Sequence, residues 1–110
     1  MVAYVVKEYL KEGLSTFGEW FKDLDSIAAS KITTAVYRLQ YGNFSNVESV
    51  GSGVFEYKID FGPGYRVYFG QDKNALVILL TGGTKKTQSK DIEKAKTFWQ
   101  EYKYEKRQGG

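Results

Sequence analysis

The chain has 110 residues, 42% of them hydrophobic, with 7 Phe, 9 Tyr and 2 Trp: enough for one core, with no room for a second domain. Neither Cys nor His is present. That excludes a disulfide framework, zinc sites built on thiolate or imidazole, and Ser-His-Asp or Cys-His nucleophile systems. Lys and Arg number 16 against 13 Asp and Glu, a net charge of +3 and a mild bias toward a polyanionic partner.

A chain without Cys sits most easily in a reducing compartment. The longest apolar run, Ala75 to Leu80, is far short of the roughly 20 residues of a membrane helix. The apolar patch Val2 to Val6 has no basic segment before it and no small-residue cleavage site after it. A soluble cytoplasmic domain with no membrane contact is expected.

Val2 to Tyr9 is β-branched and aromatic and reads as a strand. After Gly13, Ser15 or Thr16 caps a short helix, with Phe17, Trp20, Phe21 and Leu24 at helical spacing. Asp25 or Ser26 caps a second, whose stripe is Ile27 or Ala28, Ile32, Ala35, Val36 and Leu39, with Gly42 as the stop. Asp23 and Asp25 read as solvated capping residues rather than metal ligands. The stretch 43–53 reads as loop with at most a short strand over Val47 to Val50.

Val54 to Phe61 alternates: Phe55, Tyr57, Ile59 and Phe61 are apolar, whereas Glu56, Lys58 and Asp60 are polar. Gly62-Pro63-Gly64-Tyr65 suits a type II turn. The return strand, Tyr65 to Gly70, sends Arg66 and Tyr68 to the side away from Tyr65, Val67 and Phe69. Ala75 to Thr81 is apolar on both faces, so it is the central strand. In the last helix Ser89 is the cap and Ile92, Ala95, Trp99 and Tyr102 the apolar side; the tail from Lys103 to Gly110 is expected to fray.

Together these elements predict a single α+β domain over residues 1–110, in the order β-α-α-β-β-β-α. Its sheet is mostly antiparallel, with helices packed on one face. Trp20, Ile32, Phe55, Tyr57, Val67, Leu80 and Trp99 are expected in one core. The opposite face is expected to be open and to carry Glu56, Lys58, Arg66 and Tyr68, with Lys85 and Lys86 arriving from the next loop. Cations interleaved with phenols suit phosphate contact and base stacking. A charged outer face is also what any half-buried antiparallel strand presents.

Motif scanning finds no P-loop, because Thr84 follows Gly83, and the Gly-x-Gly pairs at 51–53 and 62–64 lack a third glycine. The block from Glu56 to Phe69, containing Gly62-Pro63-Gly64-Tyr65-Arg66-Val67-Tyr68-Phe69, resembles the RelE/ParE toxin superfamily in its HigB-like, phage-derived addiction module killer branch. So do the block from Leu79 to Gln88 and the pair Asp91-Ile92. The resemblance extends to Phe17–Asp25 and Gly42-Asn43-Phe44, and covers roughly Tyr4 to Tyr102.

The resemblance implies a toxin paired with a helix-turn-helix antitoxin, cutting mRNA on the ribosome with the RNA's own 2′-OH as nucleophile, without cofactor or metal. On it, Lys58, Arg66 and Lys85 handle the phosphate. Glu56 is a base and Tyr68 a stacking or relay group, while Lys86, Gln88 and Lys90 contact RNA. The branch more often has Leu-Arg where this chain has Tyr57-Lys58, which removes bidentate geometry, and Asp where it has Thr84. A ParE-like gyrase inhibitor and a non-catalytic antitoxin-binding module remain alternatives on the same fold.

Overall fold

The computed structural model of the chain describes residues 3–109. Strand β1 (Val5–Glu8) leads into a small hairpin, β2 (Leu10–Lys11) and β3 (Leu14–Ser15), which turns on Glu12 and Gly13, both at positive φ. The strand expected over Val2 to Tyr9 is thus shorter; Val2 lies outside the described residues.

Helix α1 (Thr16–Phe21) is capped by Ser15, whose Oγ accepts from Gly18 N at 2.7 Å. Helix α2 (Ser26–Gln40) is capped by Asp25, which accepts from Ala28 N at 2.9 Å. It buries Ala28, Ile32, Ala35 and Leu39 at helical spacing and stops before Gly42 at φ 80°. Ile32 and Leu39 have no exposed surface, and each such burial contributes about 1.5–3 kcal/mol.

Four further strands follow: β4 (Val47–Gly51), β5 (Val54–Ile59), β6 (Tyr65–Asp72) and β7 (Leu76–Gly83). The sheet order is β1-β7-β6-β5-β4, parallel at β1–β7 and antiparallel elsewhere. The α+β class and the mostly antiparallel sheet are as expected. β4 is the short strand that the sequence allows over Val47 to Val50, one residue longer, and its ladder with β5 supplies what local propensity lacks around Ser49 and Gly51. The β5–β6 hairpin is also looser than a tight turn over Gly62–Tyr65. β5 ends at Ile59, and Asp60 to Gly64 form a loop closed by Gly64 N donating to Phe61 O at 3.1 Å, with Gly62 and Gly64 at positive φ.

A 3₁₀ turn, Lys85–Thr87, then opens helix α3 (Gln88–Gln108). The expected Ser89 cap is therefore inside the helix, and Thr87 takes the cap position. The fraying expected from Lys103 is replaced by regular helix to Gln108. Tyr102 donates to Asp72 at 2.7 Å, Lys106 pairs with the same carboxylate, and Tyr9 donates to Glu105 at 3.0 Å. Gly110 lies outside the described residues. No helix among the described residues is long and apolar enough to cross a membrane.

The helices occupy both faces of the sheet, not one. α1 and α2 cover Tyr57, Val67, Phe69, Val77 and Leu79, with Trp20 and Phe55 packed at the margin. α3 covers Val54, Tyr68, Ile78 and Leu80 with Ala95, Phe98 and Trp99. Leu80 and Trp99 therefore belong to a second core, separate from that of Trp20, Ile32, Phe55, Tyr57 and Val67. The reason is β7, whose apolar side chains on both faces demand two covers.

Candidate functional site

The β5–β6 register sets Glu56 opposite Tyr68 and Lys58 opposite Arg66, so these side chains share one face, as the alternation predicts. On the other side of Arg66 the partner is Gly83. A Cβ on Gly83 would lie 1.8 Å from Asp91 Oδ2, so the missing side chain is what admits the Asp91 carboxylate from α3. Gly64 plays the same part in the hairpin loop. At φ 76°, it passes so close to Arg66 that a Cβ there would lie 2.9 Å from Nη1 and 3.4 Å from Lys85 Cβ. Lys85 N donates to Pro63 O at 3.3 Å, stitching the loop after β7 to the hairpin.

Beneath the start of α3 these residues form a buried polar knot. Glu56 is 1% exposed, and its Oε2 accepts from the Tyr68 hydroxyl at 3.0 Å and from Gln88 Nε2 at 2.9 Å. Arg66 Nε stands 3.7 Å from the same oxygen, too far for a hydrogen bond, and has no other partner among the described residues. Arg66 Nη1 donates to the Gly64 carbonyl. Burial, and then the adjacent Glu56 carboxylate, push the Tyr68 hydroxyl well above its ordinary range. The Thr87 hydroxyl donates to Asp91, tying the 3₁₀ turn to the first turn of α3.

The face expected to be open is thus roofed. Tyr68 has no exposed surface, so its ring offers no face for a base to stack on. Glu56 already receives two donors at one oxygen inside the knot, and that geometry fits holding Arg66 better than taking a substrate proton. Gln88, expected on the RNA, points inward to Glu56. Arg66 is 8% exposed. Lys58, Lys85, Lys86 and Lys90 are exposed, and Lys58 pairs with Glu48 at 3.5 Å on the neighbouring edge strand. Lys58 and Lys85 therefore flank the rim around Arg66, whereas no hydrogen bond or ion pair among the described residues ties Lys86 or Lys90 to it.

Nothing in the local sequence around Gln88 and Asp91 marks them as members of the knot. The available signal was the Gly82-Gly83 pair, two consecutive residues without side chains at the end of a strand, which marks a close approach on both faces. Among the described residues no group of three or more acidic side chains is gathered as a metal site would require.

Residues 19–102 match the family described as phage derived protein Gp49-like (DUF891). An uncharacterized protein of Haemophilus influenzae (strain ATCC 51907 / DSM 11121 / KW20 / Rd) is 49% identical over 87 residues, which is 78% of this chain and 88% of that one. The family match runs from within α1 to Tyr102 and includes every residue of the knot and its rim. The chain therefore belongs to the phage-derived Gp49-like family, a family of the RelE toxin type.

Proposed function

We propose that this chain is the toxin of a type II toxin–antitoxin pair, of the HigB-like branch, and that it cuts mRNA on the ribosome in the cytoplasm. One observation carries the reading: Lys58, Arg66 and Lys85, three cations from separate segments, are gathered around one hairpin loop by the β5–β6 register and the Lys85–Pro63 hydrogen bond. Such a rim suits a phosphodiester. The RNA 2′-oxygen attacks phosphorus, the bond to the 5′-oxygen breaks, the 2′-OH proton leaves to a base and the departing 5′-oxygen takes one up. No protein nucleophile is required, and the reading calls for no metal. Arg66 turns from the Gly64 carbonyl to the developing phosphorane charge, Lys85 supplies the second cation and Lys58 holds the neighbouring phosphate. Glu56, fixed by Tyr68 and Gln88, is a positioning residue for Arg66. A helix-turn-helix antitoxin masks the same cationic rim.

A second reading is favoured by the burial of Arg66: a module that binds its antitoxin and has no catalytic site. The two separate on products and on one exposed residue. RNA from cells expressing the chain should carry 2′,3′-cyclic phosphate and 5′-OH ends. Arg66→Ala should lower the cleavage rate about 10²- to 10³-fold, the scale of losing one preorganised electrostatic contact. Because Arg66 is buried against Glu56, that variant also loses stability, contrary to what an open-face position implies. Lys85→Ala, exposed, supplies the arm in which folding is unchanged. Intact transcripts with lost gyrase supercoiling would transfer the chain to the gyrase-inhibitor class, and intact transcripts with active gyrase would leave the binding module.

A further inference from the structure

A polar groove of about 370 Å³ lies on the other side of the hairpin, between α2 and β5 with its following loop. Lys31 and Arg38 contribute cations to its lining, against Asp60 as the single carboxylate, and Ser30, Thr34 and Asn46 add uncharged polar groups. Lys31 and Arg38 are exposed, and neither makes an ion pair among the described residues. The Lys31 ammonium is held instead over the Phe61 ring, 4.9 Å from its centroid, and Phe61 keeps 36% of its surface exposed. A lip with unneutralised cations, small hydroxyl and amide donors and an accessible aromatic ring combines what phosphate and base each require. The groove reaches the Lys58 backbone at the end of β5, and the Lys58 side chain stands across the ladder from Arg66 on the other face, so a strand passing around the hairpin end would reach both. The Lys58–Glu48 pair at 3.5 Å is exposed on both sides, so exchanging Glu48 for a phosphate costs little.

We infer that this groove is a second contact for a single strand of RNA, with phosphates on Lys31 and Arg38 and a base against Phe61, on the path leading to Lys58 and Arg66. The inference rests on reading the chain as an RNA-cutting toxin. Charge complementarity selects RNA over an apolar segment, and the exposed ring selects an unpaired strand over a duplex, whose bases are stacked away.

The test uses a 2′-O-methyl oligoribonucleotide of about ten residues, within the span single-strand binders cover, which binds without being cut. Fluorescence anisotropy is measured across a salt series with the full chain. The wild-type chain should bind, with affinity falling as salt rises. Lys31→Ala and Arg38→Ala should each reduce the steepness of that fall by about 0.7 in the log–log slope. Phe61→Ala should weaken binding about 5- to 150-fold, the effect of losing one stacked base. Phe61→Leu, which keeps apolar bulk, should not restore it. Lys22→Ala, an exposed lysine paired with Glu19 on α1, should change neither quantity, and thermal melts should show every variant folded.

No binding by the wild-type chain overturns the inference. So does wild-type affinity and slope in the Lys31 and Phe61 variants, or equal affinity for a duplex RNA hairpin. Groove variants that keep RNA binding but lose a co-purified acidic partner would make the groove a protein-docking surface instead. Groove effects present in a chain that leaves RNA intact in cells would sink the endoribonuclease reading alone.

Discussion

The two faces of the sheet use the same device to different ends. Each seats a tryptophan on a glycine of a central strand. A Cβ on Gly82 would lie 2.3 Å from the Trp20 ring, and one on Gly70 would lie 2.3 Å from the Trp99 ring. Around Trp20 the buried part of the α1–α2 face is apolar, with Phe17, Ile32 and Leu39 on Tyr57, Val67 and Phe69. The α3 face is divided. Its lower part, around Trp99, is a second apolar core; its upper part is the Glu56–Arg66–Tyr68 knot with Gln88 and Asp91 over it. Beneath the helices one face is a continuous apolar core, whereas the other also fixes a buried cation beside exposed ones. α3 is therefore both cover and scaffold.

The sharpest way to break this comparison is to remove the apolar anchor of each face in turn. Trp99→Ala should cost about 3–5 kcal/mol and Ile32→Ala about 2–5 kcal/mol, from lost burial and the cavities left. The difference should appear in distribution. Ile32 sits in the cluster that ties α1 and α2 to β5, β6 and β7, so Ile32→Ala should lower protection from hydrogen exchange everywhere. Trp99→Ala should lower it first in α3, while β5–β7 stay protected by their ladders. Equal loss across the whole molecule in both variants would mean that the two faces are one cooperative unit.

A smaller effect distinguishes the two parts of the α3 face. Gln88→Ala removes one hydrogen bond to the buried Glu56 carboxylate, a loss of about 1.5–3 kcal/mol. If the knot positions Arg66 for catalysis, cleavage by the folded variant should fall as well, although Gln88 does not reach the rim. Gln88→Glu should be worse, because it sets a second carboxyl group against Glu56. Wild-type cleavage in a folded Gln88→Ala chain would reduce the knot to a structural feature.

Much of this was legible because it is local. The Asp25 cap, the stripe from Ala28 to Leu39 and the stop at Gly42 are set within one helix, and the alternation of β5 and β6 places Glu56, Lys58, Arg66 and Tyr68 on one face whatever covers it. The cover was not legible in the same way. Seating Trp99 on Gly70 joins residues whose complementarity exists only after α3 has docked, and the two-faced apolarity of β7, with the Gly82-Gly83 pair at its end, was the local sign that a second helix layer was needed. The site suffered most from this: with α3 in place, Glu56, Tyr68 and Gln88 moved from candidate substrate contacts to internal partners. The fraying expected after Lys103 failed for the same reason, since Lys106 and Tyr102 find Asp72 only across the tertiary structure.

That distal contact gives the smallest predicted effect and the only one that acid should switch. Asp72 closes β6 and holds the far end of α3. The Lys106 ammonium first, and then the Tyr102 hydroxyl, hold its carboxyl below the ordinary value of 3.8. A carboxyl depressed in the folded state stabilises it above 3.8 and loses that contribution as pH falls through the folded value. Lys106 is 44% exposed, so solvent screening keeps the effect within about 1 kcal/mol. Asp72→Asn retains an acceptor for Tyr102 and removes only the charge. It should melt below the wild-type chain at neutral pH, and the gap should close as the solution is acidified below 3.8. Burial, aided by Asp72, pushes the Tyr102 hydroxyl up to about 12. The hydroxyl's own contribution should therefore persist up to pH 10 and fade toward 12. A gap between wild type and Asp72→Asn that stays constant from neutral to acid pH would show that the Asp72 charge does not hold this end of α3, and would leave it to packing and to the Tyr9–Glu105 and Tyr102–Asp72 hydrogen bonds.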